Sequence, residues 1–461
     1  MKQTVSILDF GAKSDGNLQT SAIQAAIDFC FKNGGGEVVI PEGVFLIGSI
    51  RLRSDITLRL SKNAVLKGIR DPEKYFDYLN DKVEPLRKDQ IIDSGYVGLW
   101  TIHGETHFDE NDSRYNFKRI PGSRWNNAMI RAIDAENVAI IGEEGSVIDG
   151  DNCFDAIGEE DYRGPHAICF FGVKNINLCG YTVKNSANWA HNMLFCENIL
   201  AKNICVEAGH DGFDAAVCKN VSIIDSKFYT GDDCIAGFGN TNVLVDNCIL
   251  NSACSAFRFG GTNVLIKNCT AYAPGKFSFR GRLTKQEKID GVMALSENSR
   301  NNMLSFFTYY ADYSVPIPEK PGNIIIENCE IDGADRFLHY NFSGNETWQR
   351  YRPLSDITFK DINAKNISMP LSVYGTPDDK IELVMKNMSI KMRPNSTADE
   401  LIRACNYERI SLCNVKVEGF NGSCIIRSKS DGECIFDNVV CGIDEDRYVC
   451  KTNDDFNITS I

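Results

Sequence analysis

Residues 220–247 read NVSIIDSKFYTGDDCIAGFGNTNVLVDN and contain the same short phrase twice, beginning at Asn220 and again at Asn242. In both copies an asparagine precedes apolar residues that alternate with other residues. Alternation with a period of two is typical of β-strands that bury one face. The stretch therefore predicts a strand-based unit that repeats with the step from Asn220 to Asn242.

Further copies of the phrase extend over most of the chain. The central copies follow one another at a nearly constant step, beginning at Asn175, Asn198, Asn220, Asn242 and Asn263. Self-similarity with a short, constant period is the signature of a solenoid. Because each unit is built on strands, we predict an all-β fold, a right-handed single-stranded parallel β-helix. Other clear copies begin at Asn137 and Asn323, and weaker copies begin at Asp356, Ile381, Arg409 and Glu433.

Two other repeat architectures fit less well. A leucine-rich repeat has a similar period, but it needs leucines at fixed positions and helices in many repeats, which the chain lacks. A β-propeller needs blades nearly twice as long. In a β-helix equivalent residues stack into ladders, and three Asn-Cys pairs fit ladders at turns and in the core. These pairs are Asn247-Cys248, Asn268-Cys269 and Asn328-Cys329.

The N-terminal region, about residues 1–50, predicts a cap on the solenoid. Thr20 is a candidate helix N-cap, and three glycines at 34–36 end the helical pattern. The terminal repeat of a solenoid needs such a cap. The apolar positions with helical spacing are Ala22, Ile23, Ala26, Ile27 and Phe31.

Two segments interrupt the repeats, at about 69–127 and 283–321. We expect both to be excursions from a single β-helix domain that spans residues 1–461. The second is rich in aromatic residues and proline, and it fits a cover over a cleft and a surface for homo-oligomer formation equally well. Excursions that wall a cleft would shorten it and favour exo action on small substrates.

Composition excludes several functional classes. The net charge of −13 and the pI near 5.1 disfavour nucleic-acid and anionic-membrane partners. The sequence contains no apolar run long enough to predict a transmembrane helix. The opening MKQTVSILDF lacks the apolar region of a signal peptide, which predicts a cytoplasmic location; a secreted protein whose signal had been removed would look the same. The 18 cysteines form no CxxC pair, so we expect buried thiols, few disulfides, and no metal or other cofactor.

Acidic residues cluster at one position of neighbouring repeats. Asp211 lies in GHDGFDAAV, and Asp232 and Asp233 lie in TGDDCIAGF. The step from Asp211 to Asp232 matches the step of the repeat, so we interpret it as one coil, and Asp214 follows within the strand. Like charges this close raise one another's pKa, and one protonated plus one ionised carboxyl is what inverting glycoside hydrolysis requires. Calcium binding and solvated turns are the alternatives.

Arginines follow the acids on later coils. In CSAFRFGG, Phe257 and Phe259 alternate with Arg258, so Arg258 points toward the acids if the phenylalanines point inward. KFSFRGR then places Arg280 and Arg282 one coil later. These guanidinium groups suit a substrate carboxylate, and they suit neutralisation of the aspartates equally well.

Several stretches together resemble the family 28 glycoside hydrolases, the polygalacturonase and rhamnogalacturonase family. The resemblance reaches from about residue 7 to about residue 240, and it implies the pectin-lyase-like right-handed parallel β-helix. The stretches are ILDFGAKSDG, GSVIDG, RGPHAICFFGVKNI, VKNSANWAHNMLFCENI, GHDGFDAAVCKNVSI and TGDDCIA.

The resemblance also implies roles for single residues. The family's Asn-Thr-Asp-Gly motif is matched by the four residues from Gly209 to Gly212, and its paired aspartates are matched by Asp232 and Asp233. By that likeness Asp232 is the general acid, and Asp211 and Asp233 hold and deprotonate the water. His210, where the family has threonine, would contact the substrate, as would Asp214.

The sequence departs from the family pattern at two places. The Gly-His-Gly motif is replaced by Ala253-Cys254-Ser255-Ala256. The Arg-Ile-Lys motif, which grips galacturonate in the family, has its nearest match in Arg280-Gly281-Arg282, followed by Lys285.

The predicted function is hydrolysis of pectic oligosaccharides by an inverting two-carboxylate mechanism, with a uronate-containing oligosaccharide as the binding partner. A β-helix polysaccharide lyase or intramolecular sugar transferase, which would use the same face, is one alternative. A non-catalytic carbohydrate-binding β-helix, such as an adhesin, is another, although the register of the acids argues against it.

Overall fold

A computed structural model describes residues 3–76, 124–154, 163–279, 300–311, 317, 319–340 and 352–453 of the 461-residue chain. These residues form the predicted right-handed parallel β-helix, in which each strand pairs in parallel with the equivalent strand of the next coil. None of the described helices is long and apolar enough to cross a membrane.

The strands stack into three ladders that run along the solenoid. The first ladder contains Gln3–Ser6, Gly36–Ile40, Ile56–Leu60, Glu136–Gly142, Lys174–Cys179, Glu197–Lys202 and Lys219–Ile224. The second ladder contains Gly43–Ile47, Ala64–Gly68, Val147–Asp149, Thr182–Lys184, Cys205–Ala208, Lys227–Thr230, Ile249–Ser252 and Thr270–Tyr272. The third, here called the site ladder, contains Ile50–Leu52, Ala128–Ile133, His166–Phe171, His191–Leu194, Phe213–Ala216, Met303–Tyr309 and Ala334–His339.

Longer strands turn a corner and belong to two ladders. Ile235–Asp246 and Ser255–Lys267 run from the site ladder into the first ladder. Strands of the first ladder that reach the second ladder or its continuation are Gly322–Asp332, Asp356–Ile367, Ile381–Met392, Tyr407–Glu418 and Glu433–Val440. A separate four-stranded sheet consists of Leu371–Tyr374, Glu400–Cys405, Cys424–Ser428 and Val449–Lys451. Short 3-10 helices cover Ile7–Phe10, Pro72–Lys74, Arg124–Asn126 and Glu445–Arg447.

The recurring asparagines form a hydrogen-bonded column at the entrance to the first ladder. Each has a positive φ, for example 57° at Asn220 and 58° at Asn242, and the amide of each donates to the side-chain oxygen of its neighbour one coil back. Asparagine tolerates this left-handed conformation better than most residues. The column runs from Asp55 through Asn137, Asn175, Asn198, Asn220, Asn242 and Asn263 to Asn323.

The predicted Asn-Cys ladders are confirmed. Asn247, Asn268 and Asn328 have positive φ at the next corner, where the amide of Asn268 donates to Oδ1 of Asp246 and the amide of Asn328 donates to Oδ1 of Asn268. The cysteine after each asparagine is buried, and its thiol donates to a backbone carbonyl two residues earlier. All 18 cysteines are free thiols, of which eleven are buried and seven are partly exposed.

The predicted N-terminal helix is confirmed as α1, Thr20–Lys32, but two details were wrong. The N-cap is Gln19 rather than Thr20, whose hydroxyl instead accepts a hydrogen bond from the backbone of Gly48. Phe31 is 44% exposed, because in the last turn of the helix Cys30, rather than Phe31, points into the core. Gly36 and the residues that follow already form the first full coil, so the cap proper is shorter than the predicted 1–50.

Both predicted excursions fall partly outside the described residues. Within 283–321, however, Met303–Tyr309 is a regular strand of the site ladder and pairs with Ser255–Lys267. The predicted range is therefore wrong at this point. Two of its aromatic residues, Phe307 and Tyr309, fill inward positions of the continuous apolar core, which extends from Val5 to Cys441.

We predict that replacement of Asn242 by alanine lowers the free energy of unfolding. The left-handed backbone destabilises alanine by about 1–2 kcal/mol. The variant also loses the two hydrogen bonds of Asn242 in the column, and each contributes at most roughly 0.5–1.5 kcal/mol to stability because the position is exposed. Asn242→Gly is the matched control, since glycine accepts the backbone conformation and loses only the hydrogen bonds. Chemical denaturation should rank the proteins as parent, glycine variant, alanine variant. Equal stability of parent and alanine variant would contradict the role given to the column.

Candidate active site

Strand register brings the predicted acids together on the site ladder. Phe213 pairs with Ile235, so Asp211 and Asp233 occupy equivalent positions on adjacent coils. The backbone amide of Asp233 donates to Oδ1 of Asp211 at 3.3 Å. The prediction that Asp211 and Asp232 are in register was wrong by one position, because this coil is one residue longer than the predicted step.

The three carboxylates have different environments. Asp211 is 6% exposed and Asp233 is 1% exposed, whereas Asp232 is partly exposed at the mouth of the site. The backbone carbonyl of Asp232 accepts hydrogen bonds from the hydroxyls of Thr230, at 2.7 Å, and Ser252, at 2.6 Å. The main chain that carries the acidic pair is therefore fixed from two sides, while the Asp232 carboxyl remains accessible.

Burial and mutual repulsion perturb the two inner carboxyls. Burial raises the pKa of Asp211 well above its usual value, and the charges of Asp232, Asp233 and Asp214 raise it further against the opposing effect of Arg163. Burial, followed by the charge of Asp232, raises the pKa of Asp233 to about 6, and Arg258 limits the rise. The cluster therefore shares protons near neutral pH, as clustered carboxyls do.

Arg258 lies where the alternation of its strand placed it. Phe257 and Phe259 are buried in the core, and Arg258 projects to the other side, where its Nη1 lies 3.6 Å from Oδ2 of Asp233. Its guanidinium also lies over the ring of Tyr310, 4.9 Å from the ring centre. The side chain is 29% exposed, so this cation is partly accessible to solvent. Arg280 and Arg282 lie outside the described residues.

Arg163 is a site residue that the sequence interpretation missed. Its Nη1 lies 3.3 Å from Nδ1 of His210, and its guanidinium lies over the ring of Trp125 at 5.3 Å. Burial lowers the pKa of Arg163, whereas the charges of Asp232 and Asp211 raise it. The resemblance did contain this residue, in RGPHAICFF, but no repeat spacing connects it with Asp211.

His210 and Asp214, predicted to contact substrate, are both almost fully buried beside the acids. His210 is held by Arg163. Asp214 lies in strand register between Asn192 on the preceding coil and Ala236 on the next. From these positions Asp214 acts on the electrostatics of the site, because its charge raises the pKa of Asp211.

Cys254 lies in the stretch Ala253-Cys254-Ser255-Ala256, which replaces the Gly-His-Gly motif of the resembled family. One ligand atom each from Asp232, Asp233 and Cys254 lies within 4.8 Å of the other two, the one such set of possible metal ligands among the described residues. Calcium prefers six to eight oxygen ligands, and a thiolate suits a softer cation. Burial and the neighbouring aspartates raise the pKa of Cys254 well above its usual value, which keeps it a protonated thiol. The donor set therefore fits proton transfer better than a metal centre.

Comparisons with known proteins find similar chains. Residues 88–271 match the family model described as glycosyl hydrolases family 28. The exo-poly-α-D-galacturonosidase of Dickeya chrysanthemi is 28% identical over 264 residues, which are 51% of this chain and 42% of that protein. The chain thus spans less than half the length of this curated relative.

Solved structures show the same fold. The exopolygalacturonase of Thermotoga maritima superposes with a TM-score of 0.65 at 19% identity, covering 91% of this chain and 93% of the other. The family 28 exopolygalacturonase of Yersinia enterocolitica superposes with a TM-score of 0.62 at 16% identity, covering 96% and 78%. At these identities the likeness establishes the fold alone.

We predict that Asp233→Asn raises stability at neutral pH. The pKa of Asp233 is about 6 in the folded protein and about 4 in an unfolded chain, so the folded state holds this proton more tightly. Its contribution to stability is therefore largest below pH 4 and is lost as the pH rises from about 4 to about 6, at about 1.4 kcal/mol per pKa unit. Asparagine cannot ionise and avoids this loss.

Thermal unfolding of parent and variant between pH 4 and pH 7 measures this effect. The melting temperature of Asp233→Asn should depend less on pH than that of the parent, and it should be higher than the parent's at pH 7. Asp378→Asn, which changes an exposed acid in a turn away from the site, serves as the control and should track the parent. Parallel profiles for parent and Asp233→Asn would show that this carboxylate carries no electrostatic strain.

Proposed function

We propose that this chain, which matches the glycosyl hydrolases family 28 model over residues 88–271, is a member of that family, hydrolyses glycosidic bonds of uronate-containing pectic oligosaccharides and acts from a chain end. The observation that carries the proposal is the convergence of Asp211, Asp232 and Asp233 on one face of adjacent coils, with Arg258 against Asp233. Exo action is inferred from the likeness to the exo-poly-α-D-galacturonosidase of Dickeya chrysanthemi.

Asp232 is the proposed general acid. It is the most exposed of the three carboxyls, so it can reach the oxygen of the scissile bond, and its main chain is fixed by Thr230 and Ser252. Its proton passes to that oxygen as the bond to the anomeric carbon breaks. The leaving sugar departs as a neutral hydroxyl, and Asp232 becomes a carboxylate.

Asp233 is the proposed general base, with Asp211 beside it. A water held by the two carboxyls attacks the anomeric carbon and gives its proton to Asp233. The pKa of about 6 suits this role, because a base works best when its pKa lies near the working pH. Exchange with solvent then returns a proton to Asp232 and removes one from Asp233, which closes the cycle.

The spacing of the carboxyls makes the stereochemistry an informative test. Oxygens of Asp232 and Asp233 lie within 4.8 Å, which is shorter than the ~6.5–9.5 Å usual between the two groups of inverting enzymes. In the proposed site, the third carboxyl makes up for this short distance. Asp211 and Asp233 together hold the water on the side away from Asp232. A retained anomer in the product would instead favour a covalent intermediate on one of the buried aspartates.

A lyase is the second candidate. A 63-residue stretch is 43% identical to alginate lyase 7 of Azotobacter vinelandii, although it covers only 13% of this chain. A lyase would leave an unsaturated sugar that absorbs ultraviolet light, whereas hydrolysis produces only new reducing ends. A non-catalytic carbohydrate-binding protein would show neither product.

We predict that Asp232→Asn lowers turnover of pectic oligosaccharides by about 10²- to 10⁴-fold, the range that general acid–base help supplies. Asparagine keeps the shape of the side chain but carries no transferable proton. Asp211→Asn and Asp233→Asn should also be severe, because each loses part of the water-holding pair. Reducing-end assays measure the rates, and early proton NMR spectra should show the inverted anomer.

Asp378→Asn is the control for these rates, and it should retain the activity of the parent. Near-normal turnover in Asp232→Asn would remove this residue from the acid role. Loss of binding together with unchanged melting behaviour in the same variant would point instead to a non-catalytic role.

We predict that Arg258→Ala chiefly weakens substrate binding. One charge-assisted hydrogen bond to a carboxylate is worth roughly 1.5–3 kcal/mol, or about a 10- to 100-fold rise in KM. Arg409→Ala, which removes an arginine paired with Glu382 on the first ladder, is the matched control. The same test can be run on an analogue in which the uronic acid is reduced to a neutral sugar. If KM for this analogue rises as much in Arg258→Ala as KM for the acid does, Arg258 does not recognise a carboxylate.

A further inference from the structure

One peptide group, the one between Asp232 and Asp233, is held at both of its ends. Its carbonyl oxygen accepts a hydrogen bond from the hydroxyl of Thr230 at 2.7 Å and another from the hydroxyl of Ser252 at 2.6 Å. Its N–H donates to Oδ1 of Asp211 at 3.3 Å. The peptide therefore connects the proposed general acid, the proposed base and the third carboxylate of the site.

The two hydroxyls come from one row of the second ladder. Ala208, Thr230 and Ser252 occupy equivalent positions on three successive coils. Ala208 has no hydroxyl, so the corner of the solenoid does not itself require one at this position. The hydroxyls of Thr230 and Ser252 therefore belong to the acidic turn rather than to the repeat.

Ser252 also has a partner on its own coil. Its oxygen accepts a hydrogen bond from the backbone N–H of Cys254 at 2.7 Å, while its proton goes to the carbonyl of Asp232. A continuous chain of hydrogen bonds thus runs from the Cys254 amide through Ser252 and the acidic peptide to Asp211. The chain links three successive coils, and neighbouring bonds in such a chain strengthen one another.

The direction of this peptide decides where the Asp232 side chain points. A peptide unit is planar, so two hydrogen bonds to its carbonyl fix the Cα atoms on either side of it. With the carbonyl turned toward the hydroxyls, the Asp232 carboxyl stays partly exposed at the mouth of the site and Asp233 stays buried. Without those donors the carbonyl would be an acceptor that needs another partner, and the peptide would rotate to find one.

We propose that Thr230 and Ser252 are positioning residues of the hydrolysis. By holding the peptide between Asp232 and Asp233, their hydroxyls aim the general acid at the oxygen of the leaving sugar. The proposal rests on the function proposed above, in which Asp232 donates the proton. Both side chains are fully buried, so they act through the peptide and not by touching the substrate. A carbonyl oxygen has two lone pairs, and each hydroxyl takes one, so either hydroxyl alone keeps the peptide partly in place.

The test compares the parent with Ser252→Ala, Thr230→Val and the double variant, which remove the hydroxyls and change the side-chain volumes little. On digalacturonate we expect kcat to fall about threefold in each single variant, because the other hydroxyl still binds the carbonyl. In the double variant kcat should fall by about 10²-fold, the loss that a misplacement of about 1 Å produces. KM should stay within about twofold of the parent, since no contact with the substrate is removed. Thr230→Ser, which keeps the hydroxyl, should keep the parent's kcat.

Ser226→Ala is the matched control for the loss of a buried hydroxyl. The oxygen of Ser226 accepts from the backbone N–H of Ile204 at 3.2 Å, and its proton goes to the carbonyl of Ile224 at 2.8 Å. Ser226 thus joins neighbouring coils as Ser252 does, but it lies between a strand of the first ladder and a strand of the second. Its replacement should lower the melting temperature about as much as Ser252→Ala does and should leave kcat unchanged.

A second substrate separates the aim of the acid from general damage to the site. Galacturonosyl fluoride, with the anomeric configuration of the oligomer, releases fluoride, which departs with little help from a proton donor. In the double variant kcat for this fluoride should stay within about threefold of the parent, while kcat for digalacturonate falls by about 10²-fold. Asp232→Asn should show the same division. Because both rates are measured in one protein, the comparison also holds for a variant that melts earlier than the parent.

The outcomes separate the two proposals. If the parent neither cleaves uronate oligomers nor releases fluoride, the proposed function fails. If the parent is active but the hydroxyl variants keep its kcat for digalacturonate, or lose equally on both substrates, the hydrolase assignment stands and the positioning role is overturned. A loss of kcat in Ser226→Ala as large as in Ser252→Ala would also overturn it, because the effect would then belong to buried hydroxyls in general.

Discussion

The structure depends on the column of asparagines at the entrance to the first ladder. Each asparagine accepts a left-handed backbone that turns the chain, and each amide binds the asparagine one coil away. A slip of one residue in any coil would break this bond and would move every inward side chain to the surface. The column therefore fixes the register of the neighbouring strands, and register decides which side chains meet on the site ladder.

Bringing the acids together costs free energy, and the fixed register of the coils holds them in place despite this cost. Asp211 and Asp233 are buried next to each other, and burial and repulsion raise both pKa values. Two guanidinium groups offset part of this: Arg258 contacts Asp233, while Arg163 acts on Asp211 and holds His210. Strained groups of this kind persist where the surrounding structure over-determines them. Here the surroundings are the stacked coils on either side.

Periodic features could be predicted from the sequence, and features without a period could not. The asparagine phrase indicated the fold and the inward cysteines, and the alternation of Phe257 and Phe259 placed Arg258 correctly. Taking the step from Asp211 to Asp232 as one coil aligned those two, whereas the actual coil is one residue longer and aligns Asp211 with Asp233.

The residues that pair between strands of the later coils could not be found from the repeat spacing. Ser305 pairs with Ser255, and Arg336 pairs with Ser305, at separations along the chain that are longer than one repeat and differ from each other. No constant spacing reveals such partners, because segments of unequal length lie between the coils. Arg163 was missed for the same reason. In a solenoid each coil contacts only its neighbours, so a change at one level disturbs distant levels little. Substitutions at Arg336 should therefore leave the acids in place, because the asparagine column holds both levels independently of the side chains on the site ladder.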